Sequence, residues 1–136
     1  LADYKSNSFD YVILNQTLQS TKKPEYVLAE IMRIGKNAII SFPNFGYYHI
    51  RLQLLCRGPM PKNRLLPYEW YESPNIHLLT IRDFLRYCRG NRYPVKKQRH
   101  FNVGTGGVSL PTVAAANLFA QYGMFVLDGE KFTGSS

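Results

Sequence analysis

The feature that most narrows what this chain can fold into is a strand, helix and strand in direct succession near its start. Phe9-Asp10-Tyr11-Val12-Ile13-Leu14 is a short apolar, β-branched run entered from the polar turn Lys5-Ser6-Asn7-Ser8. A run of this kind, with little alternation, predicts a buried parallel strand. After the polar loop Asn15-Gln16-Thr17, Pro24 opens a helix at its first position, where a missing N–H costs nothing. Val27, Leu28, Ile31 and Ile34 share one face of that helix, with Glu25 at its positive end and Arg33 at its negative end. Gly35 reads as the stop, and Lys36 to Phe42 as a second strand closed by Pro43. Together these elements form a βαβ unit, which belongs to a covered parallel sheet.

The same patterns extend the fold. Tyr47 to Arg57 predicts a helix with Tyr48, Leu52 and Leu55 on one face, ended by Gly58-Pro59. From Pro59 to Asn75 the chain holds four prolines and the aromatic cluster Tyr68-Glu69-Trp70-Tyr71, too many large rings for a flexible linker. Thr80 is placed to cap a helix in which Ile81, Phe84, Leu85 and Cys88 recur at helical spacing, with Asp83 as the capping-box acid and Gly90 as the stop. Pro94 to Val103 predicts a strand, Gly104 to Gly107 a loop, Phe125-Val126-Leu127 a last strand, and Gly129 to Ser136 a frayed tail.

Composition bounds the answer further. With 136 residues, 45% of them hydrophobic, the chain can build one packed domain and not two. Its apolar runs fall far short of the ~18 residues of a membrane-spanning helix. The first residues lack the basic segment and apolar core of a signal peptide. Cys56 and Cys88 are far apart, outside any C-x-x-C or Cys/His spacing, and each sits in a helical pattern. Both are expected to be small buried hydrophobes in a reducing, cytoplasmic setting rather than zinc ligands. The net charge of +8 raises the prospect of a nucleic-acid partner. The basic residues are spread out, however, and the densest group, Lys96-Lys97-Gln98-Arg99-His100, carries no helix-turn-helix, zinc-finger or RNP signature, so a solvated basic face is favoured.

Three groups of residues are candidates for chemistry. Asn15, Gln16 and Thr17 follow the first strand, and ligands of open α/β sheets sit outside the carboxyl ends of the strands. Uncharged amides there suit an adenine or an amino-acid moiety, and a plain turn with a helix cap competes evenly. Ser41-Phe42-Pro43-Asn44 ends the second strand and would face the same crevice. Tyr68, Trp70, Asn75 and His77 combine flat rings with polar groups, as ligand pockets and protein interfaces do, while a core plug is equally open for the rings. The Gly104-Thr105-Gly106-Gly107 run lacks both a strong preceding strand and a following Lys-Ser/Thr, so it reads as a connection rather than a phosphate loop. His49, His77 and His100 show no triad or metal spacing, and no catalytic residue is named.

These residues also carry a family resemblance. Phe9 to Leu14 with Asn15-Gln16-Thr17-Leu18-Gln19 looks like the fourth strand and following loop of class I S-adenosylmethionine (SAM) methyltransferases. Ser41-Phe42-Pro43-Asn44-Phe45-Gly46, Arg51-Leu52-Gln53-Leu54, Leu66-Pro67-Tyr68-Glu69-Trp70-Tyr71 and Pro74-Asn75-Ile76-His77 are more particular. With Thr80-Ile81-Arg82-Asp83-Phe84 and Asn117-Leu118-Phe119-Ala120-Gln121-Tyr122-Gly123, they resemble the MetW family of methionine biosynthesis proteins over nearly the whole chain.

The resemblance implies an α/β, Rossmann-like class I methyltransferase fold, of which residues 1–136 supply the C-terminal half as a single partial domain, strands 4 to 7 of a seven-stranded sheet. It implies action with homoserine O-acyltransferase in L-methionine biosynthesis. A SAM-dependent methyltransferase acting on a small molecule is the alternative, and a basic nucleic-acid-binding module a weaker one. SAM is the implied cofactor, with Asn15, Gln16 and Thr17 beside it. The family's Gly-rich loop and ribose-holding acid are not among these residues, so at most half of a SAM site is expected here. Phe9 to Leu14 then has an unpaired outer edge, and self-association through that edge is expected.

Overall fold

The structure is a computed structural model and describes residues 2–60, 62, 66–74, 77–102, 106–108 and 112–134. The predicted βαβ unit is present. Strand β1 (Phe9–Asn15) leads through a 3₁₀ turn (Leu18–Ser20) into helix α1 (Pro24–Ile34) and strand β2 (Gly35–Pro43). β1 and β2 are parallel, with Ile13 opposite Ile39 and Asn15 opposite Ser41. Then come α2 (Tyr48–Arg57), α3 (Ile81–Gly90), β3 (Val95–Asn102), β4 (Gly106–Val108), α4 (Val113–Phe119), β5 (Tyr122–Asp128) and α5 (Gly129–Gly134). The five strands form one sheet in the order β1-β2-β5-β3-β4. β5 runs antiparallel between β2 and β3, so the last strand wedges into the middle of the sheet.

The core lies on one face of this sheet. Alternate residues Ala38, Ile40 and Phe42 of β2 and Phe125 and Leu127 of β5 meet Leu28, Ile31 and Met32 of α1 and Ile81, Phe84 and Cys88 of α3. Three rings fix its centre: Phe42 stacks on Phe125 at 5.7 Å, and Phe84 packs against both, at 5.1 and 4.8 Å. α3 begins with the expected capping box, in which the Thr80 side chain accepts from the Asp83 N–H and the Asp83 carboxylate accepts from the Thr80 N–H.

Several expectations are corrected. β1 has the unpaired outer edge expected of it among the described residues, but it is not buried on both faces: Tyr11 and Ile13 are 62% and 67% exposed on the face away from the core, while Val12 and Leu14 pack inward. Gly35 does not stop α1 by a left-handed turn. Its φ is −103°, the helix passes straight into β2, and a Cβ there would lie 2.8 Å from Val12 Cγ2, so close packing demands the glycine. On α2 the face of Tyr48, Leu52 and Leu55 is exposed and Ile50 is the buried residue, because a short apolar run with hits on two faces does not say which face docks. Cys56 on the same helix is exposed, whereas Cys88 is buried, and burial pushes its thiol up to about 12.

The end of the chain differs as well. Gly106 and Gly107 belong to β4, opposite Asn102 and Phe101, while Gly104 and Thr105 lie outside the described residues. α4 had no sequence signal strong enough to predict it. The expected frayed tail is helical over Gly129–Gly134, and Phe132 packs edge-on against Tyr93 at 5.0 Å. A Cβ on Gly129 would fall 2.0 Å from the Gly35 carbonyl oxygen, so the β5–α5 and α1–β2 junctions cross at van der Waals contact. Two glycines far apart in sequence hold the tail down together.

Candidate functional site

The carboxyl ends of β1 and β2 lie side by side, with Asn15 opposite Ser41. The Ser41 hydroxyl donates to Asn15 Oδ1 across the strands, and the Gln16 N–H donates to the Ser41 carbonyl at 2.9 Å. Gln16 has φ +50°, in the left-handed region that non-glycine residues seldom occupy. The cross-strand hydrogen bonds hold it there, and its side chain points out exposed. Thr17 turns inward upon the loop instead. Its hydroxyl donates to the Asn15 carbonyl at 2.8 Å, and its own carbonyl accepts from the Ser20 and Thr21 hydroxyls. Of the three predicted residues, Asn15 and Gln16 are exposed, and the Asn15 NH₂ and the Gln16 side-chain amide have no partner among the described residues.

The 3₁₀ turn after this loop supplies the next wall. Gln19 is 6% exposed, and its backbone carbonyl accepts from the His77 N–H at 2.8 Å. The strap carrying His77 is then held just beyond the end of β2, where the Leu79 carbonyl accepts from the Phe45 N–H at 3.1 Å. Gln19 and His77 border a small void with Pro43, Phe45 and Ile50. Gln19 Oε1 and His77 Nε2 are both buried with no hydrogen-bond partner among the described residues. Leaving such atoms unpaired costs about 1–3 kcal/mol each, so they mark a place where a polar group of a ligand or a water would be stabilised. Composition had pointed to His77 but not to Gln19. Its only signal was a polar residue beside Leu18 in a short apolar turn.

On the far side of His77 and Leu79, a larger cleft of about 270 Å³ opens between the 3₁₀ turn, α1 and α3. Leu18, Leu28, Phe84 and Tyr87 form its walls, and the carboxylates of Glu25 and Asp83 stand at its rim. Burial first, then the neighbouring Tyr93, Glu25 and Cys88, push the Tyr87 phenol up to about 12, so it stays neutral across the physiological range.

Asn44, expected at the crevice, is fully buried. Its amide donates to the carbonyls of Asn117 and Ala120 at 2.9 and 2.8 Å. Its Oδ1 accepts from the N–H groups of Gly46 and Ile81 at 3.1 and 3.2 Å. Every position of the amide is taken, and the residue ties the end of β2 to the start of α3 and the end of α4.

The rings of the aromatic loop are not core plugs: Trp70 is 75% exposed and meets Tyr71 edge to face at 5.5 Å, and Tyr68 is exposed beside them. Glu69 in this loop binds Lys62 at 2.6 Å. Asn75 lies outside the described residues. His49 is exposed and stacks near Tyr47, and His100 is buried in β3. In the basic run, Lys96 is engaged by Asn37 and Asp128, and Lys97 and Arg99 are exposed. Among the described residues no group of three or more His, Cys, Asp or Glu could hold a metal ion. None of the described helices is long and apolar enough to cross a membrane.

The five-stranded sheet, with β5 antiparallel between β2 and β3, belongs to a methyltransferase-like α/β fold. The same fold occurs in a solved complex of the Haloferax volcanii Trm112 methyltransferase activator with a candidate methyltransferase: the match has a TM-score of 0.57 at 14% identity and covers 93% of this chain and 56% of that one. Residues 1–127 match the family described as methionine biosynthesis protein MetW, and the chain belongs to that family. A curated relative, the bifunctional methionine biosynthesis protein MetXA/MetW of Rhodopirellula baltica, is 40% identical over 84 residues, which are 61% of this chain. This chain spans only 14% of the length of that relative.

Proposed function

We propose that this chain acts in L-methionine biosynthesis, in the cytoplasm, by associating with a homoserine O-acyltransferase. One observation carries the reading: in the Rhodopirellula baltica relative, the MetW name is joined to MetXA in a single bifunctional protein. Tethering two proteins raises their effective concentration to about millimolar, an advantage only for partners that work together. The exposed ring pair Trp70–Tyr71 offers the kind of rigid aromatic surface that anchors protein interfaces. The test is to mix the chain with a homoserine O-acyltransferase, then measure complex formation by size exclusion and the rate of homoserine acylation. A complex that alters the rate supports the reading, and its absence, with no change in rate, removes it.

A second reading, a SAM-dependent methyltransferase acting on a small molecule, is favoured by Gln16, held in an uncommon backbone conformation at the end of β1 with its side chain exposed. The residues fit SAM only in part. The Asn15 NH₂ and the Gln16 side-chain amide are uncommitted among the described residues, while the Asn15 Oδ1 is taken by Ser41 and Thr17 is turned into its own loop. In this reading the chain is the C-terminal half of the domain, with β1, β2, β3 and β5 as strands 4, 5, 6 and 7. The exposed outer face and edge of β1 support that placement, since Tyr11 and Ile13 are apolar residues of a kind normally covered. Calorimetric titration of the chain with SAM separates the readings, because an acyltransferase partner needs no heat of SAM binding.

A further inference from the structure

We infer that the cleft between α1 and α3 is a binding site for a small organic cation, an aliphatic or aromatic body bearing an ammonium group. This inference stands apart from the acyltransferase reading and would hold if that reading failed. The body is dictated by the walls. Leu18, Leu28 and Leu79 supply aliphatic surface, and Phe84 and Tyr87 supply rings. The space of about 270 Å³ accommodates a compact hydrocarbon group, near the lower end of small-molecule sites.

The charge is dictated by the rim. The protein carries a net charge of +8, yet the cleft is lined by two acidic residues, Glu25 and Asp83, and by no Lys or Arg. Lys22 and Lys23 come just before Glu25 in the chain but are not among the lining residues. Glu25 has no ion pair among the described residues. Asp83 uses Oδ2 to accept from the Thr80 N–H and hydroxyl, which leaves Oδ1 open. A cation at the rim would meet these oxygens, a charge-assisted interaction that an uncharged or anionic ligand cannot make.

The test uses three probes that share one body and differ in charge: cyclohexylmethylamine, cyclohexylmethanol and cyclohexanecarboxylate. Each is titrated into the full 136-residue chain while backbone amide resonances are followed by NMR. The amine should shift resonances of Leu28, Leu79 and Phe84 and bind about fivefold more tightly than the alcohol, with the carboxylate weakest. Glu25→Gln should bring amine and alcohol to within about twofold, since it removes one exposed charge and no packing. Added salt should weaken the amine and leave the alcohol unchanged. Leu79→Trp should fill the cleft and abolish all three. If that variant does not fold, the salt series decides in its place. Equal binding of the three probes would reduce the cleft to plain apolar surface and overturn the inference. So would the absence of shifts at the cleft, or amine binding indifferent to both Glu25→Gln and salt.

Discussion

Asn44→Ala separates a residue that builds the fold from one that serves a ligand. The Asn44 side chain is fully buried and makes four hydrogen bonds of 2.8–3.2 Å to backbone groups of Gly46, Ile81, Asn117 and Ala120. Each such bond contributes about 1 kcal/mol net, and buried partners left unpaired cost more. Water entering the vacated space would recover part of that loss. The balance is a destabilisation of about 3–5 kcal/mol, a large share of the ~5–15 kcal/mol available to a domain of this size. Urea denaturation followed by far-UV circular dichroism reads it as a lower midpoint at constant slope. Asn44→Asp should also destabilise, because a carboxylate cannot donate to the carbonyls of Asn117 and Ala120. A loss below about 1 kcal/mol for Asn44→Ala would refute the structural role and return Asn44 to the crevice.

Four further outcomes are expected. Gln16→Gly should raise stability by about 0.5–1 kcal/mol in thermal melts, because glycine occupies a φ of +50° without steric cost, and an unchanged or lower midpoint would count against strain at that position. Gly129→Ala should cost about 2–3 kcal/mol or more, since its Cβ would collide with the Gly35 carbonyl, and a neutral effect would mean the tail helix is not held there. Burial lowers the His100 pKa, so the folded state favours the neutral imidazole. Stability from this group is whole above the unfolded value near 6.5 and falls as pH drops towards the folded value, and His100→Gln should flatten that decline in denaturation series between about pH 7 and 5. Trp70→Ala should leave the melting curve unchanged and weaken any complex with a homoserine O-acyltransferase, and unchanged affinity in titration calorimetry would move the interface elsewhere.

What the sequence made legible was what is decided locally. The helix from Pro24 and the capping box at Thr80 are written within a few residues, and both stand where their signals placed them. The βαβ crossover is likewise contiguous, and β1 and β2 pair in parallel. What stayed hidden depends on partners distant in the chain. Whether β1 is central or at an edge depends on what lies beside it, and apolar content alone cannot say. The docking of Gly129–Gly134 rests on a contact between Gly129 and Gly35, which no window of neighbouring residues contains. The exposed face of α2 was misjudged because apolar residues fall on two sides of a short helix, and only Ile50 finds the core.

The candidate site follows the same division. Asn15, Gln16 and Thr17 are located by a rule about strand ends, which needs only the strand to be recognised. Asn44 ends the neighbouring strand, yet the carbonyls that its NH₂ donates to are more than seventy residues away, in α4 and the segment after it. The amide is therefore drawn into the interior rather than left at the crevice. That placement has a consequence for the site as a whole. By gripping the end of α4 and the first N–H of α3 together, Asn44 sets the position from which Phe84 and Tyr87 descend along the cleft wall. The strap of His77 and Leu79 is fixed at its two ends in the same region, by Gln19 and by Phe45. The small void and the cleft on either side of His77 thus share one frame, and a substitution that loosens Asn44 should disturb both before it unfolds either.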